Sequence, residues 1–424
     1  MRLLVLFSLF WVVTAYSETE SEVLKPYDGP SVNEVDTSTL TGKLMCGYQG
    51  WFNCEGDGMD LGWVHWRKNR KSPFGPGNVT VDLWPDLSEY DDDERYATLF
   101  KHSDGRAAEV FSSANRKTVL RHFKWMQDHG IDGAFVQRFA NGLRVGSANK
   151  VHKDTVLSHA REGANRHGRA YAVMYDLSGL RKGETERVRN DWQLLRKSMK
   201  MGEDAAYLRH EGKPLVALWG IGFSDDREYS LAESRELVEF LKADGCSVML
   251  GVPSWWRELE RDATADPNLH EILKLADVVS PWTVGRYRTP QQASKHSEKV
   301  WKPDLEWCRK HDLDFLPVVY PGFSWHNLTG DPLNSIPRLK GQFLWSQMIA
   351  AKQIGAEMIY VAMFDEVDEG TAIFKCTNDP PVGEGVSFTD YEGLPSDFYL
   401  RLVGEGARML RGEIPVAEAV PLLK

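Results

Sequence analysis

Four carboxylates crowd into five positions near the end of the chain: Asp365, Glu366, Asp368 and Glu369, interrupted by Val367 and followed by Gly370 and Thr371. Acids this close repel one another, so at least one keeps its proton near neutral pH. A carboxylate beside a carboxylic acid is the pair that splitting a glycosidic bond requires. Residues 358–364, just upstream, are apolar with aromatic and β-branched side chains, and read as a buried strand. Ala372, Ile373 and Phe374 are apolar again. The acids are wedged where a strand leaves the core, and desolvation there raises the proton affinity of a carboxyl group.

Holding such a cluster takes a scaffold, and its period is visible. Eight strand-like runs occupy residues 44–52, 131–139, 170–179, 215–223, 246–256, 277–287, 315–325 and 357–364. Helical spacing fills residues 113–129, 155–167, 185–199, 230–243, 303–311, 342–354 and 397–411. Gly130, Gly168, Gly245 and Gly355 follow the last periodic residue of a helix, where a left-handed cap favours glycine. Alternating strand and helix specify a parallel sheet covered by helices, and eight repeats predict closure into a (β/α)8 TIM barrel. An open doubly wound sheet is the alternative, but no Gly-x-Gly-x-x-Gly turn supports a nucleotide-binding version. One connection is long. Residues 53–112 form an elaborated loop after the first strand, on the face where a barrel places its active site.

Reading the last residues of each strand yields the candidate cleft. Tyr48 and Trp51 end the first strand, Gln137 and Arg138 the second, Tyr175 and Asp176 the third. Trp219, Trp255 and Trp282 end the next three; Tyr320 and Trp325 end the seventh, and Asp365 opens the acid cluster after the eighth. Aromatic platforms mixed with amide and charged groups suit a sugar, whose flat faces stack and whose hydroxyls seek hydrogen bonds. All twelve are expected to line the substrate site, with Glu366 and Glu369 catalytic and Asp176 a reserve carboxylate.

The totals narrow the partners. A formal charge of −10 with no long basic tract argues against nucleic acid and anionic membrane surfaces. No His-x-His stands at the end of the first strand, and no Gly-x-Ser-x-Gly turn appears, so neither a metal, an organic cofactor nor a serine nucleophile is expected. The acids at 91–94 are the one place that invites calcium. Arg2, the apolar stretch 3–13 and small residues at Ala15 and Ser17 read as a signal peptide over 1–17, hence a secreted or periplasmic protein. Residues 18–40 read as a loose arm, 41–415 as the barrel domain and 416–424 as a tail. Five cysteines leave at least one thiol free, and Asn78 and Asn327 sit in glycosylation sequons. A glycan-cleaving enzyme is the leading reading; a non-catalytic carbohydrate-binding barrel and a metal-dependent hydrolase are the alternatives.

The spacing Glu366-x-x-Glu369-Gly370-Thr371 resembles the Asn-Glu-x-x-Glu-Gly-Thr signature of glycoside hydrolase family 99, the endo-α-mannosidases and endo-α-mannanases, and more distantly the family 71 α-1,3-glucanases. The stretch from Cys46 to Phe52, and Trp125 and Met126 with Gly130 to Gly133, resemble a bacterial "family 71/99-like" group often labelled xylosidase/arabinosidase. The resemblance spans about residues 44–412. It implies net retention: Glu366 would deprotonate the sugar's 2-hydroxyl, giving a 1,2-anhydro sugar, and Glu369 would act as acid and then base. Two residues depart from the signature. Asp365 stands in place of Asn, adding charge beside the base, and Val367 in place of Trp, removing an aromatic from the expected substrate wall.

Overall fold

A computed structural model describes residues 23–421; the expected signal peptide lies outside them. Eight parallel strands form the centre: β1 Leu44–Tyr48, β2 Gly133–Phe139, β3 Ala170–Asp176, β4 Lys213–Trp219, β5 Ser247–Pro253, β6 Val278–Trp282, β7 Val318–Val319 and β8 Ile359–Val361. Neighbours pair in chain order from β1 to β6, and β8 pairs with both β7 and β1. The ring closes through the segment around Pro317. Asp314–Phe315 pairs with β6, and two residues later β7 pairs with β8. Proline has no N–H to donate, so the ladder changes partner at that residue while its carbonyl still accepts from Tyr360 at 3.0 Å. The sequence-derived barrel is the observed one.

Barrel strands are buried along their length because helices cover one face and side chains fill the other, which is why they read as continuous apolar runs. The outer layer includes Arg116–Asp128, Ala148–Arg166, Glu186–Ser198, Leu231–Ala243, Lys302–Lys310, Gln342–Gln353 and Phe398–Leu410, matching the seven expected helices. Asn115, Ser147 and Ser230 cap their helices by accepting from backbone N–H groups, with a capping box at Ser230 and Glu233. Three further helices among the described residues, Asn268–Leu273, Pro290–His296 and His326–Thr329, are too short for the periodicity to show.

The long loop after β1 is folded rather than loose. Its hairpin Tyr96–Lys101/Ala107–Val110 and the rings of Phe74, Trp84 and Phe100 pack with Phe388 into a small aromatic core. Backbone bonds from Asp82 and Leu83 to Val367, and from Asp86 to Lys375, stitch this loop to the one after β8. Three of the acids at 91–94 are engaged by side chains of the protein. Asp91 and Asp93 pair with Lys117, and the buried Glu94 accepts from Thr118 and Arg121.

Three features of the sequence gain detail in the structure. The described part of the N-terminal arm is strapped down: Leu24 and Leu40 are buried, and Val32, Val35 and Thr37 bond to the backbone at Asn165, Gly168 and Arg209. All five cysteines are buried thiols. Both sequon asparagines face inward, with Asn78 Nδ2 donating to the carbonyls of Asn69, Ser72 and Pro73, and Asn327 Nδ2 to those of Val81 and Ser387.

Candidate active site

At the end of β8 the chain turns through residues 365–371. Asp365 is fully buried, and its two carboxylate oxygens accept from the backbone N–H groups of Gln49 and Gly50, both at 2.8 Å. This clamp fixes the end of β8 against the end of β1, reinforced by Phe364 N–H donating to Gly47 at 2.7 Å. Gly370 has φ +64, and a Cβ there would lie 3.0 Å from Ser324 N, so the turn requires glycine. The backbone carbonyl of Glu369 accepts from Ser324 at 2.9 Å, tying the turn to the loop after β7.

This frame aims Glu366 and Glu369 into one cavity of about 500 Å³ at the barrel mouth. Glu366 is 3% exposed, and accepts from Gln49 Nε2 and from the Thr371 hydroxyl, each at 2.6 Å. Burial, then the negative charges of Glu369 and Asp368, push its proton affinity well above the carboxylate range, against the pull of those two donors. Glu369 is partly exposed and is pushed up to about 8, first by burial, then by the charge of Asp368, with Asp176 adding to it and the Trp325 indole opposing. Asp176, at the end of β3, faces the same cavity; burial raises it, while the Ser178 N–H, Arg227 and Lys153 hold it down.

Trp51, Gln137, Trp219, Trp282 and Trp325 join these acids around the cavity, as the sequence led one to expect. Several lining polar atoms have no partner among the described residues: Gln49 Oε1, Gln137 Oε1, Trp51 Nε1 and Trp219 Nε1. Buried polar atoms normally find partners, so a wall of unmet donors and acceptors beside aromatic rings is chemically able to bind a polar ligand. Asp368 turns aside to accept from His65 Nδ1 at 2.9 Å, and that imidazole stacks on Trp51 with ring centroids 3.8 Å apart.

Other expected wall residues lie elsewhere. Tyr48 is buried beneath the barrel mouth with its hydroxyl on His122 Nδ1, and Tyr320 donates to the Tyr287 carbonyl. Arg138 and Tyr175 face outward to the helices, both bonded to Asp191. Trp255 lines a separate hollow, and Asp365 is the backbone clamp described above. Val367, expected to leave a gap in the substrate wall, is fully buried and lies outside the cavity lining. Gln49, Phe139, Ser178, Arg286, Phe323 and Met363 line the cavity without having been singled out. For Gln49 the signal was its place one residue after Tyr48, on the opposite face of the strand.

Fold and site define a (β/α)8 barrel with paired carboxylates after its last strand. Among solved structures, it superposes on the GH99 endo-alpha-mannosidase from Bacteroides thetaiotaomicron with a TM-score of 0.62 and 18% identity, covering 88% of this chain and 99% of that one. The same bacterial enzyme in complex with BIS-TRIS-propane gives a TM-score of 0.61 at 17% identity, with the same coverage. Among curated proteins, a "Glycoprotein endo-alpha-1,2-mannosidase-like protein" of Danio rerio is 27% identical over 117 residues, 26% of this chain. The match spans about a quarter of that relative's length. No family model matches the chain. The resemblance read from the acid cluster thus extends to the whole barrel fold.

Proposed function

We propose that the protein is a glycoside hydrolase that cleaves α-linked glycans or polysaccharides with retention, and that it acts after export from the cytoplasm. The observation that carries this reading is the placement of Glu366 and Glu369 in one aromatic-walled cavity, both with raised proton affinity. Glu369 at about 8 holds its proton at neutral pH and serves as the acid. Glu366 receives a donor on each oxygen, which opposes the burial and like charges that raise its proton affinity, and the resemblance in spacing to the family 99 signature assigns it the part of the base.

In an α-mannoside the axial 2-hydroxyl stands trans to the scissile C1–O bond. Glu366 takes the 2-hydroxyl proton as O2 bonds to C1, the C1–O bond breaks, and Glu369 protonates the departing oxygen. Water then gives a proton to Glu369 while attacking C1, the C1–O2 bond opens, and Glu366 returns its proton to O2. The product keeps the α configuration. The cavity's unmet amide and indole groups would hold the other hydroxyls, and Asp365 keeps the two strand ends in register without touching substrate. The likeness to the endo-α-mannosidases favours mannose in the cleaved unit. The test is hydrolysis of α-linked oligosaccharides by wild type and by the Glu366→Gln and Glu369→Gln proteins. Wild-type rates in both folded variants would refute the assignment.

A further inference from the structure

Beside the catalytic cavity lies a second hollow of about 680 Å³, and the two share Gly285 and Arg286 in their walls. Its character is opposite to that of the chain. The protein carries a formal charge of −10, yet five cations, Arg261, Arg286, Arg288, Lys295 and Lys299, face this hollow against two glutamates. Arg286 is paired with Asp262, and Glu258 with Arg257. Arg288, Lys295 and Lys299 are exposed and have no carboxylate partner among the described residues, so three unneutralised cations converge on one hollow.

The arrangement is built. Gln292, Lys295, His296 and Lys299 fall at helical spacing, so Pro290–His296 and the turn after it present one polar face to the hollow. His296 is 8% exposed, lines the hollow, and its Nε2 has no hydrogen-bond partner among the described residues. Burial and the charges of Arg286 and Arg261 hold this imidazole neutral, its pKa lowered to about 4. On the facing loop the Arg261 guanidinium lies 4.4 Å over the Trp255 ring, which makes a flat platform at the edge of the cations. An aromatic platform fits a sugar ring; unpaired cations and a buried imidazole fit an anion attached to it.

We propose that this hollow is a subsite for a sugar unit bearing an anionic group, a sulfate, a phosphate ester or a uronate carboxylate, in the same glycan that enters the catalytic cavity. The proposal rests on the glycoside-hydrolase reading of that cavity for its location on the substrate path, and it assigns the substrate class to anionic rather than neutral glycans. Trp255, misplaced in the catalytic wall by the sequence, then stacks a neighbouring unit of the same chain.

The test is calorimetric binding to the full-length Glu369→Gln protein, so that no turnover is needed and a failure of the hydrolase reading leaves the result readable. Four α-linked probes are titrated: maltohexaose, sulfated maltohexaose, hexagalacturonate and a phosphorylated mannopentaose. At least one anionic probe binds at least about tenfold tighter than maltohexaose, with the margin shrinking as salt rises. Combining Arg288→Ala, Lys295→Ala and Lys299→Ala, all at exposed positions, removes that margin, and the Lys295→Arg/Lys299→Arg protein keeps it. Which anionic probe wins separates sulfate, carboxylate and phosphate as the natural group. Equal binding of all four probes, or a preference that survives the triple substitution, overturns the proposal.

Discussion

Two buried clusters of acid, one among the helices outside the barrel and one after its last strand, are handled in opposite ways. Outside β2 and β3, Asp154 and Asp191 close around the fully buried Arg138, with Lys150 and the Tyr175 hydroxyl completing the set. Their charge is matched by cations. After β8, Asp365, Glu366, Asp368 and Glu369 have no arginine or lysine within ion-pair distance among the described residues; amide, hydroxyl, imidazole and backbone N–H groups meet them instead. A matched cluster holds helices to a barrel and has no reason to exchange protons. An unmatched one is left with raised proton affinity, which costs stability and is useful only for moving a proton.

The contrast can be broken from either side. In the unmatched cluster, Glu366→Gln and Glu369→Gln lower kcat on an α-linked substrate by about 10³-fold or more, with unfolding midpoints preserved. In the matched cluster the same kind of change strikes the fold. Arg138→Met leaves the buried Asp191 with no cation, Asp154 keeping Lys150, and costs about 3–5 kcal/mol in urea unfolding. Asp365→Ala belongs between them. Losing the clamp on Gln49 and Gly50 costs about 1–3 kcal/mol and also lowers kcat, because the turn bearing both glutamates loosens.

Acidity sharpens the comparison further. Glu369 has its proton affinity raised from 4.5 to about 8 in the folded protein. A raised carboxyl contributes stability that is whole below its unfolded value and is lost as pH rises through the folded one. Wild type therefore loses stability relative to Glu369→Gln between about pH 4.5 and pH 8, which paired urea titrations at pH 5 and pH 9 measure. The rate kcat falls over the upper part of that range as the acid loses its proton. The smallest effect is expected at His65→Ala, which removes the ring stacked on Trp51. It raises KM by about threefold to tenfold with kcat little changed.

Much of this was legible before the fold was known. The barrel followed from repeated strand and helix periods closed by Gly130, Gly168, Gly245 and Gly355, each of which has positive φ. The acid cluster was legible because its four carboxylates fall within five positions, so no knowledge of packing was needed. The cleft wall was read less well, and the reason is the twofold alternation of a strand. At Gln137 and Arg138 one side chain faces the cavity and the next faces the helices, and Tyr175 and Asp176 divide in the same way. Counting both residues of each pair as wall added Arg138 and Tyr175 wrongly. Applying the alternation would have discarded Tyr48 in favour of Gln49. Arg286 and Phe323 come from loops whose course depends on tertiary contacts, such as the pairing of Phe323 with Ile336, that no local pattern reveals. The N-terminal arm was misread for a related cause: its composition is polar, and what holds it is backbone bonding to Asn165, Gly168 and Arg209.

The most direct measurement is time-resolved NMR of the products released from α-linked oligosaccharides, α-1,2-linked mannan among them, by the wild-type and Glu366→Gln proteins. Retention with Glu366 as the base predicts that wild type releases a product whose first-formed anomer is α, and that the folded variant releases none at a comparable rate. A first-formed β anomer, or equal release by the two proteins, would contradict that mechanism.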